Sequence, residues 1–407
     1  MGREFLDLVD ISTAHKITAN LFREIYHPPR IEEVNLSDAY GRVLARDMET
    51  PIDLPPFNRA SRDGYAVKAE DTFHASEDNP SILKCIEVIE AGSIPQKRIE
   101  KGCCSRISTG APVPEGADAI VMVEYAEEKE DNIIIYKSAY PGQHIALKGS
   151  DISKNDIICT KGSILSPEKI GALSAAGISK LPVIAKLKIG ILSTGNELIE
   201  PSNDWSPGKI FDSNSHSIAA AIKNCGCKPK ILGIVKDDYM ELYNAIQSSI
   251  RECDILITSG GTSAGAGDIL RDIIEDIGEV IIHGISIKPG KPTLIGKVDD
   301  KLVFGLPGFP VSALIIFNVL LRPYLMELSG KSLDYKYLRE LPLAQRLHSS
   351  KGRVHYAIVK IEDEKAHPIL KDSGAITSLA DADGYIKIPK NVEILEEGSM
   401  VKIIPFF

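Results

Sequence analysis

Apolar residues repeat along this chain with two periods, and the period switches several times. Residues 3–27 place Phe5, Leu8, Val9, Ile17, Leu21 and Ile25 at helical spacing, and Pro28-Pro29 ends the helix they predict. Residues 37–45 read as a short helix, and the proline-marked stretch 50–57 as a crossing between domains. From 82 to 145 the spacing turns to that of strands, with Gly and Pro turns between apolar runs. Ser166 and Pro167 open another helix. From 186 to 330 strands alternate with helices, which predicts a parallel sheet covered on both faces. Residues 331–407 return to strand spacing and suit a small barrel or sandwich.

The sharpest of these strands runs from Asp254 to Thr258, a short apolar stretch suited to burial on both faces. It breaks into seven small residues, 259–265, before a helical run that begins near Asp268. Such a turn can offer backbone N–H groups to an anion. Asp268 would repel a bare phosphate, but a divalent cation lets carboxylate and phosphate share a site. An ordinary helix cap at Asp268 explains the same residues. Glu197, Asp237 and the Pro307–Pro310 turn also follow strand ends, and ligands of such sheets sit beyond the carboxyl ends of the strands. Clustered carboxylates with oxygen ligands point to Mg²⁺. Lys288 and Lys291, set in a Pro/Gly-stiffened stretch, add two positive charges or form a solvated bend.

Composition narrows the class. A chain of 407 residues holds about two to four domains, and 43% hydrophobic with 25% charged residues is ordinary for a globular protein. A net charge of −9 argues against a nucleic-acid binder. The seven Cys form no CxxC pair, which fits reduced thiols in the cytosol. Asp7 and Asp10 interrupt the N-terminal apolar residues, so no signal peptide is expected, and the longest apolar run, 311–321, is too short to span a membrane.

Seven motifs occur in order: Asp63-Gly-Tyr-Ala; Ile107-Ser-Thr-Gly-Ala-Pro-Val-Pro-Glu-Gly-Ala-Asp-Ala-Ile-Val; Ser193-Thr-Gly-Asn-Glu-Leu; Pro207-Gly-Lys-Ile-Phe-Asp-Ser-Asn; Thr258-Ser-Gly-Gly-Thr-Ser; Lys288-Pro-Gly-Lys-Pro; and Leu306-Pro-Gly-Phe-Pro-Val-Ser. With them the chain resembles the molybdopterin molybdenumtransferase (molybdenum insertase) family, which includes the C-terminal domain of gephyrin. The resemblance implies a multidomain α/β plus β protein that forms an elongated homodimer. Domain I would be residues 1–53 with 146–185, domain II an inserted β domain at 54–145, domain III the doubly wound molybdopterin-binding sheet at 186–330, and domain IV the terminal β domain at 331–407. It further implies that molybdate, or the same-shaped tungstate, is inserted into adenylylated molybdopterin with Mg²⁺-dependent release of AMP, in the cytoplasm.

Residue by residue, the resemblance assigns activity to Asp63, Thr109, Asp237 and Asp268, with Glu197 and Asp268 holding Mg²⁺. It assigns substrate binding to Ser259, Gly260, Gly261, Thr262, Ser263, Lys288, Lys291, Pro307 and Pro310. Asp63 would act across the dimer, as base or orienting group. Partners would be a molybdopterin adenylyltransferase and cofactor-accepting enzymes, with neither nucleic acid nor membrane. Three departures stand out. Arg62 replaces the usual Met and should lower the Asp63 pKa, Phe309 replaces the usual Asn, and Ile269 follows Asp268 where Tyr is common. Adenylyltransferase activity, and a non-catalytic carrier or scaffold, are the competing readings.

Overall fold

A computed structural model describes residues 8–261, 268–331 and 339–406, apart from the Asp268 side chain. The chain forms two compact units, one of residues 8–32, 41–43 and 183–406, the other of residues 33–40 and 44–182.

The larger unit is built on six strands: β1 (Lys188–Thr194), β2 (Lys228–Val235), β3 (Ile255–Ser259), β4 (Glu279–His283), β5 (Leu294–Val298) and β6 (Lys301–Leu306). Their order is β2-β1-β3-β6-β5-β4. The first four are parallel, but β5 runs antiparallel to both β6 and β4. The expected all-parallel sheet is therefore mixed. The cause is local: Asp299 and Asp300, at φ 49° and 57°, make a two-residue turn between β5 and β6, and a primed turn of this kind returns the chain antiparallel.

Alternation along the strands divides the core in two. Ile255, Ile257 and Phe304 face one layer, with Ile218 and Ile222 of α1 (Asn214–Asn224) and with the helical run from α4 (Pro310–Ile316) through a π-helical turn to α5 (Arg322–Leu328). Leu256 and Val303 face the other, with Ile246 of α2 (Tyr239–Glu252) and Ile273 of α3 (Asp268–Ile277). Every residue of β3 is buried, as a strand covered on both faces requires. Burying a side chain the size of Phe304 contributes about 2–3 kcal/mol.

The stretch Pro310–Leu328 is long and apolar enough by composition to cross a membrane, but 78% of it is buried inside the protein, which makes it a core helix. The N-terminal helix Ile11–Tyr26 packs on this layer, with the Phe22 ring stacked on Tyr324 at 5.2 Å. Residues 8–32 thus belong to the same compact unit as the α/β sheet. Further along the unit, Val354–Glu362, Gly384–Ile388, Met400–Pro405 and Arg339–Pro342 form an antiparallel sheet, which Ile287–Lys288 extends by parallel pairing with Val354 and His355.

The smaller unit centres on a six-stranded sheet of its own, in the order Ala119–Met122, Gly64–Val67, Cys103–Ile107, Ser81–Ile89, Asn132–Ile135, Ala126–Lys129. Tyr65, Val67 and Val121 pack on one face, Ala66 and Ile120 on the other. The helix expected over 37–45 is a single 3₁₀ turn, Leu36–Asp38, because Gly41 takes φ 70° and ends it. All seven cysteines are free thiols.

Candidate functional site

A cavity of about 640 Å³ opens at the carboxyl ends of the parallel strands in the larger unit. Glu197 reaches it from the turn after β1, Asp237 from the end of β2, Ser259, Gly260 and Gly261 from the end of β3, and Pro307 and Pro310 from the turn after β6. Four turns distant in sequence therefore line one rim. Thr262 and Ser263 lie outside the described residues, as does the Asp268 side chain.

Backbone geometry explains the small residues. Gly260 adopts φ +100°, and a Cβ there would fall 2.2 Å from the Thr194 carbonyl oxygen. Only glycine fits both conditions. The Gly260 N–H donates to the Leu306 carbonyl at 3.1 Å. This donor, expected to face an anion, is committed to the neighbouring strand end. The Glu197 carboxylate folds back over Gly195, where a Cβ would come within 2.8 Å of both its oxygens. The Asp237 N–H donates to the Asn196 side-chain oxygen at 3.3 Å and so ties the first two strand ends together.

Among the further residues that line the cavity, with no role assigned to them from sequence, are Thr194, Asp212 and Asn214. The stretch Asp212-Ser213-Asn214 has the composition of a helix cap, and Asp212 Oδ1 does accept the Ser215 N–H at 3.1 Å. Asn214 does something else. Its Nδ2 donates to Ser259 Oγ at 2.8 Å and to the Gly308 carbonyl at 2.7 Å, bracing the β3 turn against the β6 turn. Thr194 Oγ1, Asp212 Oδ2 and Asn214 Oδ1 are buried with no hydrogen-bond partner among the described residues. Buried polar atoms are nearly always paired, so the cavity floor holds unspent hydrogen-bonding capacity.

The remaining predicted residues lie elsewhere. Lys288 is exposed on its short strand beside His355, and Lys291 is half-buried; neither lines the cavity, although the adjacent Pro292 does. Asp63 and Thr109 meet in the smaller unit, where the Thr109 N–H donates to Asp63 Oδ1 at 2.7 Å. That bond, with a second from the Thr109 side chain, holds the exposed Asp63 carboxyl below its usual pKa. Arg62 was expected to cause this shift. Its guanidinium instead reaches the Ser61 carbonyl at 3.4 Å and has no part in lowering Asp63. Among the described residues no three His, Cys, Asp or Glu side chains cluster closely enough to hold a metal by themselves.

At the mouth stands Phe309, the N-cap residue of α4, whose side chain makes no capping bond. An Asn at an N-cap is worth about 1 kcal/mol over an apolar residue. Gly374 and Ile376 complete this wall from the C-terminal part of the unit.

The fold and rim cavity define a ligand-binding α/β domain of the molybdopterin-binding class, since residues 190–327 match the family described as "Probable molybdopterin binding domain". Residues 9–177 match the MoeA N-terminal region (domain I and II), and residues 340–406 the MoeA C-terminal region (domain IV). The chain is 37% identical over 406 residues to a Methanocaldococcus jannaschii protein named for molybdopterin biosynthesis, covering 98% of each. It is 34% identical to molybdopterin molybdenumtransferase 2 of Mycobacterium tuberculosis, covering 91% of this chain and 94% of that one. A crystal structure of the molybdopterin biosynthesis MoeA protein from Pyrococcus horikosii superposes with a TM-score of 0.84 at 40% identity, covering 98% of this chain and 100% of that one. The chain belongs to the molybdopterin molybdenumtransferase (MoeA) family, enzymes of molybdenum cofactor biosynthesis.

Proposed function

We propose that this protein inserts molybdate into adenylylated molybdopterin and releases AMP. The observation that carries the reading is the convergence of Glu197, Asp237, the Ser259–Gly261 turn and the Pro307–Pro310 turn on one cavity of about 640 Å³ in a chain of this family. That volume lies within the usual range for small-molecule sites, roughly 300–1,000 Å³. In the reaction, water cleaves the phosphoanhydride and AMP leaves; the two dithiolene sulfurs bond to molybdenum, and their two thiol protons depart with one molybdate oxygen as water.

The donor set fits Mg²⁺. Glu197 and Asp237 supply carboxylate oxygens, and Mg²⁺ is typically held by one or two carboxylates together with substrate phosphates. Asp268, at the start of α3, is proposed as a further ligand. An Mg²⁺ held by these carboxylates would neutralise charge on the phosphoanhydride. Glu197 orients that group through its fixed position over Gly195, and Asn214 keeps the two turns at their working separation. Lys288 and Lys291 contribute positive charge from the segment that carries Pro292. Asp63, kept ionised by Thr109 on an exposed loop, serves as base or orienting group, contributed to a neighbouring subunit in a homodimer. Adenylylated molybdopterin comes from an adenylyltransferase, and the finished cofactor passes to acceptor enzymes.

Incubation with adenylylated molybdopterin, Mg²⁺ and either molybdate or tungstate tests the reading. AMP release coupled to cofactor formation is expected, and the two arms report which oxyanion is used. Glu197→Gln should lower the rate about 10²–10³-fold, the cost of losing one well-placed electrostatic group, at an unchanged melting temperature. Tight binding without AMP release would identify a carrier instead.

A further inference from the structure

The ring of Phe309 stands where the fold has no use for it. It occupies the N-cap of α4, a position that favours Ser, Thr, Asp or Asn because their side chains can accept the free N–H groups of the first turn. The Val311 N–H is taken instead by the Ser373 carbonyl at 3.1 Å. The ring is 63% exposed, so it is not part of the core either. Gly374 lies beside one edge of the ring: a Cβ added there would reach 3.5 Å from its Cδ1 and 3.7 Å from its Cε1. The rest borders the mouth of the rim cavity, where Ile210, Phe211 and Ile376 are also exposed. An aromatic ring among apolar neighbours, with a polar floor of Thr194, Asp212 and Asn214 in the same cavity, gives it one set of residues suited to stacking and another suited to hydrogen bonds.

We propose that Phe309 is a stacking platform for a flat nitrogen heterocycle of the substrate, and so a specificity-determining residue of this cavity. The proposal rests on the functional reading above, in which the substrate carries two such rings, a pterin and an adenine. Stacking on an aromatic side chain needs only a π-face, so both rings share the chemistry that Phe309 meets.

Calorimetric titration of the wild type, Phe309→Asn and Phe309→Tyr with AMP and with neopterin, in Mg²⁺ and without turnover, tests it. One probe should bind the Asn variant at least about 10-fold more weakly, as loss of a base–aromatic stack implies, and bind the Tyr variant within about threefold of wild type. The probe that weakens identifies the ring. The melting temperature of the Asn variant should equal or exceed that of the wild type, because Asn restores a cap. A joint fall in affinity and melting temperature would make Phe309 a packing residue and overturn the proposal. Unchanged affinity for both probes would overturn it and leave the functional reading standing. Failure of the wild type to bind either probe would sink both.

Discussion

The rim cavity of the larger unit and the Asp63 loop of the smaller one hold carboxylates by opposite means. Glu197 and Asp237 come from separate strand ends, and their position depends on the register of β1 and β2 and on the Asn196 side chain that accepts the Asp237 N–H. Asp63 depends on one neighbouring loop: the Thr109 backbone and side chain orient it and hold its pKa down while it stays exposed. A rim assembled from four turns is sensitive to backbone change anywhere along it. A carboxylate clamped by one peptide group is sensitive mainly to its own chemistry.

Breaking the rim should have the largest effect. Gly260→Ala forces a Cβ against the Thr194 carbonyl at a backbone conformation strained for any L side chain. A loss of about 3 kcal/mol or more is expected, read by chemical denaturation, together with loss of AMP binding. A fully stable Ala variant would show that the turn can open without cost.

The Asp63 clamp should respond through chemistry rather than folding. Asp63→Asn is expected to lower turnover about 10²-fold, in the range of a lost general base, with the melting temperature unchanged. Thr109→Ala keeps the backbone N–H and loses the hydroxyl, so the acid limb of the pH–rate profile should move to higher pH while the plateau stays near wild type. The sign follows from the depressed pKa: the ionised form is favoured above it and lost as pH falls through it. An acid limb unmoved by Thr109→Ala would remove the side chain from the clamp.

The smallest effect sharpens the picture of the strand that carries Lys288. His355, paired with Lys288 in register, has its pKa pushed down to about 4 by burial, with the Lys288 charge adding to the shift. The unfolded chain takes up this proton near pH 6.5 and the folded chain only near 4, so stability is lost as pH falls between those values. His355→Asn should flatten that loss by about 1–3 kcal/mol, measured as melting temperature against pH. Identical pH profiles for both proteins would show that His355 is not the group responsible.

Much of the architecture was legible in the sequence because it is written in local periods. The alternation of strands and helices from 186 to 330, the buried run at β3, and the strand ends at Glu197, Asp237, Ser259 and Pro307 can all be read off neighbouring residues. The motif series also pointed to the family that the comparisons show. The antiparallel turn at Asp299-Asp300 is local too, but alternation of strands and helices does not encode it.

Other features had no local signal. Asp212-Ser213-Asn214 has a capping composition, and only the approach of Ser259 and Gly308 makes Asn214 a brace. Gly374 and Ile376 reach the cavity mouth from a stretch with no motif of its own. Arg62, next to Asp63 in sequence, leaves its pKa alone, whereas Thr109, 46 residues away, sets it. Sequence by itself determined most of the strands and helices and which turns could carry charge, since backbone conformation and hydrophobic period are short-range properties. Which side chains meet, and which donor satisfies which acceptor, was decided only when the sheets closed, because hydrogen bonds and burial depend on distances that sequence separation does not encode.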